Sequence, residues 1–252
     1  MSDKSFGGNF LWYDLGTTDL EAAQAFYTAV TGWNLVPHND QYTMFANAQG
    51  PIGGSMVLSD DAKAMGAPPH WLAYIGTPDL DATVAKLQGL GGKVYVPAFD
   101  MPNVGRIAVA ADPFGAAFGL FQPAEGGQAP GEAKVGDFSW NELMTDNVDT
   151  VWGFYQNLFG WTPGEAMDMG EMGVYFLFEA SGISRGGIMK RPPEMPVSAW
   201  LHYIRVEDLD AALATTTKLG GTIMNGPMAV PGGERVAQCM DPQGAAFALH
   251  GI

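Results

Sequence analysis

The sequence has little positive charge and almost no cysteine. Its 12 Lys and Arg residues face 27 Asp and Glu residues, which gives a formal net charge of -15. A surface this acidic repels the phosphate backbone of nucleic acids and anionic membranes, so neither is an expected partner. The single cysteine, Cys239, excludes an internal disulfide and a cysteine-based zinc site, and such cysteine usage is typical of a reducing compartment.

Long apolar runs and a secretion signal are also missing. No stretch approaches the roughly 18 consecutive apolar residues that a membrane helix needs. The opening MSDKSFGGNF lacks the basic segment followed by an apolar stretch that marks a signal peptide. The sequence therefore predicts a soluble cytoplasmic protein, either a monomer or a homodimer, that does not bind membranes.

What the sequence does contain is one pattern repeated four times. An Asp or Asn that can cap a helix is followed thirteen positions later by a Gly that can end it. The four copies run from Asp19 to Gly32, Asp79 to Gly92, Asn147 to Gly160 and Asp208 to Gly221. Each follows an apolar, strand-like run and precedes three shorter ones, which predicts four strand-helix-strand-strand-strand (βαβββ) modules.

The second half of the chain repeats the first. Phe138, Trp140 and Gly160 lie 128 positions after Phe10, Trp12 and Gly32. The turn DPFG at 112–115 recurs as DPQG at 241–244, and its Pro and Gly positions predict a type I turn in a hairpin. We expect domains at residues 6–122 and 137–252, joined by a Gly- and Pro-containing linker at 123–136.

The repeated motifs carry a family resemblance. FYTAVTGW and FYQNLFGW at the ends of the odd helices, with DPFGAAF and DPQGAAF before the last strands, resemble the glyoxalase, bleomycin-resistance and extradiol-dioxygenase group, the vicinal oxygen chelate superfamily. The likeness spans Phe10 to Ile252. It implies an α+β fold in which each pair of modules curls its sheets into a cup, with helices outside and a divalent metal inside. Function has to be argued from the site, because fold alone does not determine it.

The resemblance also indicates where metal ligands would lie. The six equivalent positions are Trp12, Ala73, Gly119, Trp140, His202 and Ala248. Of these, only His202 can bind a metal, so no metal is expected in the N-terminal domain.

In the C-terminal domain, two further candidates lie one strand step from the family positions. Glu142 follows Trp140 by two residues and His250 follows Ala248 by two, which keeps each on the same strand face. Our hypothesis is that Glu142, His202 and His250 bind a single divalent metal, Fe, Zn, Ni or Mn. The alternative is a buried His202 hydrogen-bonded to Glu142, with His250 near solvent. Without metal, Glu142 and His202 would be the catalytic general acid/base pair.

Aromatic residues in the opening strands are candidates for binding a flat, mostly apolar molecule. With Leu72, Tyr74, Leu201 and Tyr203 assigned to the side under the helices, strand alternation turns the opposite side chains toward the cups. The candidate pocket tryptophans are Trp12, Trp71, Trp140 and Trp200. The alternative is that these tryptophans fill the core.

Two other features have a functional and a structural interpretation. Arg235, which repeats Arg106, could bind a substrate carboxylate, or it could pair with a structural carboxylate. The methionine-containing loop at 167–172 could form a lid, or it could pack on its own domain. No nucleophile-base-orienter triad and no phosphate-binding glycine loop is recognisable in the sequence.

Two classes of function remain. The first is an enzyme, a metal-dependent lyase, isomerase or dioxygenase that acts on a small oxygenated, aromatic or apolar molecule in the C-terminal cup. The second is a metal-free, non-catalytic protein that sequesters such a molecule. The sequence favours the enzyme, with a non-standard or degenerate metal site.

Overall fold

Both halves of the chain fold into two consecutive βαβββ modules. The structure is a computed structural model that describes residues 6–170 and 173–252. The first module comprises β1 (Phe10–Thr17), α1 (Leu20–Thr31), β2 (Asn34–Asn39), β3 (Tyr42–Asn47) and β4 (Gly50–Val57). After a short helix, α2 (Asp60–Ala64), the second comprises β5 (His70–Gly76), α3 (Leu80–Gly89), β6 (Lys93–Met101), β7 (Gly105–Ala111) and β8 (Ala117–Pro123).

The second half repeats this order without a counterpart of α2 among the described residues. The third module comprises β9 (Phe138–Thr145), α4 (Val148–Phe159), β10 (Thr162–Asp168), β11 (Val174–Ala180) and β12 (Ile183–Lys190). The fourth comprises β13 (Ala199–Arg205), α5 (Leu209–Lys218), β14 (Thr222–Ala229), β15 (Arg235–Met240) and β16 (Ala246–Gly251). The predicted tandem duplication and α+β class are thereby confirmed.

Local chemistry explains where the helices begin and end. Asp19 has an extended backbone and its carboxylate accepts a hydrogen bond from the Ala22 amide, 3.1 Å away, which satisfies a donor of the first turn. Gly32, at φ 76°, supplies the left-handed residue that ends α1. In α3 and α5 the left-handed residues are Gly91 and Gly220, so the stops predicted at the following glycines are one residue late.

The strands form two eight-stranded sheets, one from each half. Their orders are β2-β3-β4-β1-β5-β8-β7-β6 and β10-β11-β12-β9-β13-β16-β15-β14. Within a module, the opening strand pairs in parallel with the last strand, and the three later strands form an antiparallel meander. This arrangement places Asp14 of β1 opposite Gly54 of β4, and Glu142 of β9 opposite Gly187 of β12.

The two compact units of the chain do not coincide with its two hydrogen-bonded sheets. One compact unit, unit A, contains the described residues within 6–11, 73–132 and 140–200, and therefore nearly all of the second and third modules. The other, unit B, contains residues 12–72, 133–139 and 201–252, and therefore nearly all of the first and fourth modules. Each unit thus takes one module from each half of the sequence.

Each unit is centred on a buried tyrosine that connects its two modules. In unit B, the Tyr27 hydroxyl accepts a hydrogen bond from Trp71 Nε1 at 2.9 Å and donates one to Asp241 Oδ2 at 3.1 Å. The other oxygen of Asp241 accepts from the Gln243 and Ala245 amides, which holds the predicted turn. Burial, followed by the nearby Asp241 charge, raises the pKa of Tyr27 well above its usual value, so the phenol remains a donor.

Unit A contains the equivalent arrangement. Tyr155 of α4 accepts a hydrogen bond from Trp200 Nε1 at 3.1 Å and donates one to Asp112 Oδ2 at 3.4 Å. Asp112 also caps the turn that joins β7 to β8, through the amides of Phe114 and Ala116.

None of the described helices has the length and apolar character that a bilayer-spanning helix requires.

We expect Tyr27→Phe to lower the free energy of unfolding by about 1–3 kcal/mol, because it leaves the Trp71 N–H and an Asp241 oxygen without their buried partner. Urea unfolding followed by circular dichroism measures this loss. The matched control is Tyr95→Phe on β6, where the tyrosine is 43% exposed and a change within about 0.5 kcal/mol is expected. Equal effects of the two substitutions would contradict a structural role for the Tyr27 hydroxyl.

Candidate functional site

The structure corrects the predicted facing of two tryptophans. Trp71 and Trp200 donate their indole N–H groups to Tyr27 of α1 and Tyr155 of α4, so both lie on the helix side of their strands. The prediction that Leu72, Tyr74, Leu201 and Tyr203 occupy this side is therefore wrong. The contacts of Trp71 and Trp200 fit the alternative interpretation, in which they fill the core.

His202 lies on the same helix-facing side, two residues after Trp200. It is 2% exposed, and its ring meets those of Tyr13 and Phe138 edge-on, with centroids 5.3 and 6.4 Å away. Burial lowers the pKa of His202 to about 3, so the imidazole is neutral at physiological pH. A histidine with so low a pKa is a weak general base.

The three predicted metal ligands do not form a cluster. Among residues 6–170 and 173–252, no three His, Cys, Asp or Glu side chains come together in a way that could hold a metal ion. Phe247 packs on Phe26 and Tyr27 of α1, so His250, three residues later, lies on the opposite face of the sheet from His202. Glu142 belongs to unit A and both histidines to unit B, so the acid/base pairing of Glu142 with His202 stays a sequence-based prediction.

The family's metal positions also carry no suitable donors. A Cβ atom added at Gly119 would lie 2.1 Å from the Tyr74 ring, so that ring occupies the space beside this position. Ala73 and Ala248 are buried and offer no ligand atom. The residues present therefore do not fit the metal centre that the resemblance implies.

Arg235 is engaged in an ion pair. Its guanidinium contacts both carboxylate oxygens of Asp210 on α5, at 3.1 and 3.0 Å. Arg106 pairs in the same way with Asp81 on α3, at 2.7 and 3.1 Å. These hydrogen bonds lower the pKa of Asp210 and of Asp81, and they match the structural interpretation of the two arginines.

On β1, the structure shows a polar group that sequence reasoning did not assemble. Tyr42 of β3 donates to Asp14 Oδ1 at 2.6 Å, and Trp12 Nε1 lies 2.7 Å from Tyr42 Oη and 2.9 Å from Asp14 Oδ1. We call these residues the Asp14 cluster. Tyr13, between Trp12 and Asp14 in sequence, stacks on Phe138 with ring centroids 3.7 Å apart, so the cluster lies on the face away from those rings.

A glycine makes room for the Asp14 cluster. A Cβ atom added at Gly54 would lie 2.0 Å from Tyr42 Oη, so the tyrosine side chain occupies the space that any other residue would fill. Because Gly54 is the register partner of Asp14, the tyrosine is brought directly beside the carboxylate. Asp14 itself is 8% exposed, while Trp12 and Tyr42 are half-buried.

The third module contains the equivalent group, which we call the Glu142 cluster. Trp140 Nε1 donates to Tyr175 Oη at 2.7 Å, and a Cβ atom added at Gly187 would lie 2.2 Å from the Tyr175 ring. Gly187 is the register partner of Glu142, which is 6% exposed. The usable sequence signal was the double glycine at 53–54 and 186–187, with one tyrosine on the preceding strand.

Four further side chains meet at one end of unit B. Ser139 Oγ lies 3.0 Å from His250 Nδ1, and His250 Nε2 lies 2.8 Å from Glu234 Oε2. Glu234 also forms an ion pair with Arg205. No nucleophile-base-orienter arrangement is recognisable from sequence, because these residues are far apart in the chain. Residues 171 and 172 of the predicted methionine loop lie outside the described residues, so the lid stays a prediction.

Because folded His202 resists protonation, acid should destabilise the protein. The unfolded state takes up a proton below about pH 6.5 and the folded state only near pH 3, so stability falls as pH drops through this window, by up to about 1.4 kcal/mol per pH unit. Urea unfolding between pH 7 and pH 4.5 measures this slope. It should be shallower in His202→Leu and unchanged in His38→Leu, which removes an exposed histidine; equal slopes in both variants would refute this account.

Comparison with known proteins identifies the family of this chain. The model of the Glyoxalase/Bleomycin resistance protein/Dioxygenase superfamily matches twice, at residues 9–120 and 138–249. A putative glyoxylase, CFP32, of Mycobacterium bovis is 35% identical over 242 residues, covering 94% of this chain and 92% of the relative. The anthracycline biosynthesis protein DauV of Streptomyces sp. (strain C5) is 31% identical over 261 residues, covering 94% and 91%.

Solved structures agree on the fold. The Mn(II)-bound glyoxalase from Novosphingobium aromaticivorans superposes with a TM-score of 0.68 at 16% identity, covering 98% of this chain and 83% of that one. The 2,3-dioxygenase LapB from Pseudomonas sp. KL28 gives a TM-score of 0.69 at 14% identity, covering 99% and 94%. Because the family model matches residues 9–120 and 138–249, which together make up most of the sequence, the chain belongs to the glyoxalase/bleomycin resistance protein/dioxygenase superfamily.

Proposed function

We propose that this protein binds a small, oxygenated, aromatic or apolar molecule at its Asp14 and Glu142 clusters, without a divalent metal. The observation that carries the proposal is the hydrogen-bonded group of Trp12, Asp14 and Tyr42. Trp12 occupies a position where the family resemblance expects a metal ligand. Here its indole N–H is a hydrogen-bond donor to a tyrosine and a carboxylate instead.

The chemistry of the clusters suits such a ligand. An indole ring offers a flat apolar wall, while the neighbouring phenol and carboxylate can bind hydroxyl or carbonyl groups at its edge. A mostly apolar surface with a few fixed polar groups is the usual make-up of a small-molecule site. The names of the relatives, a putative glyoxylase and anthracycline biosynthesis proteins, suggest 2-oxoaldehydes and polycyclic anthracyclines as the first compounds to test.

A lyase or isomerase activity is the second candidate, supported by the 2.6 Å hydrogen bond from Tyr42 to Asp14. A phenol held this closely to a carboxylate can give up a proton to a bound substrate as the carboxylate takes one. Such proton transfer needs no metal. Family chemistry that depends on a metal, dioxygenation above all, would need a donor set that the described residues do not offer.

We expect purified protein to contain far less than one equivalent of Fe, Zn, Ni or Mn, because the chain offers no group of three suitable ligands among its described residues. Plasma mass spectrometry after soaking with each metal measures the content, with His202→Ala and Glu142→Gln as comparisons. One tightly bound equivalent that disappears in either variant would overturn the metal-free proposal and restore the predicted metal centre.

Ligand binding should depend on the tyrosine hydroxyls. We expect Tyr42→Phe and Tyr175→Phe each to weaken binding at their own cluster by about tenfold, the usual effect of one lost hydrogen bond. Isothermal titration with an anthracycline aglycone and with methylglyoxal, in the presence of EDTA, measures the affinity. Gly54→Ala should reproduce the loss of Tyr42→Phe, because its Cβ displaces the tyrosine.

The matched control for these titrations is Tyr95→Phe, which removes an exposed hydroxyl on β6. Its affinity should equal that of the wild type. Binding that survives both cluster substitutions at full strength would place the ligand elsewhere. If none of a panel of quinones, phenols and 2-oxoaldehydes gives a heat of binding, that result argues against a small-molecule function at the clusters.

A further inference from the structure

Unit B contains a second group of chemically active side chains, separate from the Asp14 cluster. We call it the Ser139 site, and it consists of Ser139, Arg205, Glu234 and His250. We propose that the Ser139 site transfers acyl groups from small esters or thioesters, with Ser139 as the nucleophile and His250 as its base.

The distances meet the geometric test for an activated serine. Ser139 Oγ lies 3.0 Å from His250 Nδ1, within reach for proton transfer, and His250 Nε2 lies 2.8 Å from a carboxylate oxygen of Glu234. A nucleophile bonded to a base, which is in turn oriented by a third group, is the arrangement that activates a hydroxyl. In serine proteases the histidine faces the serine with Nε2 and the carboxylate with Nδ1, and here the two nitrogens are exchanged. A neutral imidazole allows either arrangement, because one nitrogen donates a hydrogen bond and the other accepts one.

Burial favours the neutral state of His250 that the reaction requires. Burial lowers the pKa of His250, and the Glu234 charge raises it while Arg205 lowers it. The neutral ring then donates from Nε2 to Glu234 and leaves Nδ1 to accept the Ser139 proton. The Glu234 carboxylate also forms an ion pair with Arg205. The side chains of His250, Glu234 and Arg205 are 16%, 22% and 31% exposed, so a small substrate can reach them.

The local fold explains why these residues meet. Arg205 and His250 are register partners at the ends of the parallel strands β13 and β16. Ser139 lies at the start of β9, where its hydroxyl also lies 3.3 Å from the Tyr203 carbonyl oxygen. Glu234 follows Gly232 and Gly233, whose φ values of 97° and 84° form the turn that leads into β15.

The first half of the chain provides an internal comparison. Gly76 and Phe121 are register partners at the equivalent ends of β5 and β8, where the second half has Arg205 and His250. Leu11 occupies the place of Ser139, and a Cβ atom added at Gly76 would lie 2.6 Å from its Cδ1 atom. The first half therefore fills this position with apolar packing, and the polar set belongs to the second half alone.

The proposed reaction follows from these contacts. The Ser139 oxygen forms a bond to the carbonyl carbon of the ester as its proton passes to His250 Nδ1. The carbon–oxygen bond of the ester then breaks, and the leaving alkoxide takes the proton from His250. Water, deprotonated by the same histidine, then attacks the carbonyl carbon of the acyl-serine. The bond between that carbon and the Ser139 oxygen breaks, Ser139 takes the proton back from His250, and the acid is released.

Fluorophosphonate labelling of the full chain tests the nucleophile. Intact-mass and peptide mass spectrometry should find one adduct, located on Ser139, and the protein should hydrolyse p-nitrophenyl acetate above the rate in buffer. His250→Gln should slow both reactions about 100-fold, the usual contribution of a general base. Ser184→Ala, which removes an exposed serine on β12, should react like the wild type. Labelling absent from Ser139, or unaffected by His250→Gln, would overturn the proposal.

A second variant tests the histidine in a protein that contains a reactive thiol. Ser139→Cys should be alkylated by iodoacetamide at position 139 alone, because Cys239 is buried and its pKa is raised to about 12. Adding His250→Gln should slow this alkylation at least tenfold, since the thiolate loses its base. An unchanged alkylation rate, with thermal unfolding showing that both variants are folded, would show that His250 does not activate this position.

Discussion

The structure depends on the hydrogen bonds of one buried tyrosine in each compact unit. Tyr27 and Tyr155 belong to helices of one module, yet each hydroxyl bonds to an aspartate that holds a turn in another module. Hydrogen bonds buried this deeply are costly to lose, because neither partner can turn to water. The helix, the opening strand that supplies the tryptophan and the distant turn are therefore fixed together, and the strand faces around them are fixed as well.

The facing of strand residues determines which chemistry the protein can offer. Along a strand, neighbouring side chains point to opposite sides, so an error of one residue exchanges core and site. Placing Trp71 and Trp200 on the helix side takes His202 into the core and away from His250. The same rule brings Trp12 and Asp14 to a shared face, where Tyr42 joins them.

The fold was largely predictable from sequence, and the candidate site only in part. Helix caps at Asp19 and Asn147, the turn at Asp112 and the repeat spacing all act over a few residues, so local sequence determines them. Trp12, Trp140 and Glu142 were recognised as candidates from the repeat. Their tyrosine partners were not, because the contact of Tyr42 with Asp14 depends on strand pairing and on the space that Gly54 leaves. The four residues of the Ser139 site come from four separate segments, which no spacing pattern connects.

Each unit draws one module from each half of the sequence, and this has a consequence for the origin of the chain. A half made on its own would lack the partner helices and turns that complete its buried network, so it would have to find them in a second identical copy. The present chain is in this sense a homodimer joined by a covalent connection. Fusion frees the two copies from having identical residues, and the contrast between His250 and Phe121 at matching positions is the kind of specialisation that a symmetric dimer could not have.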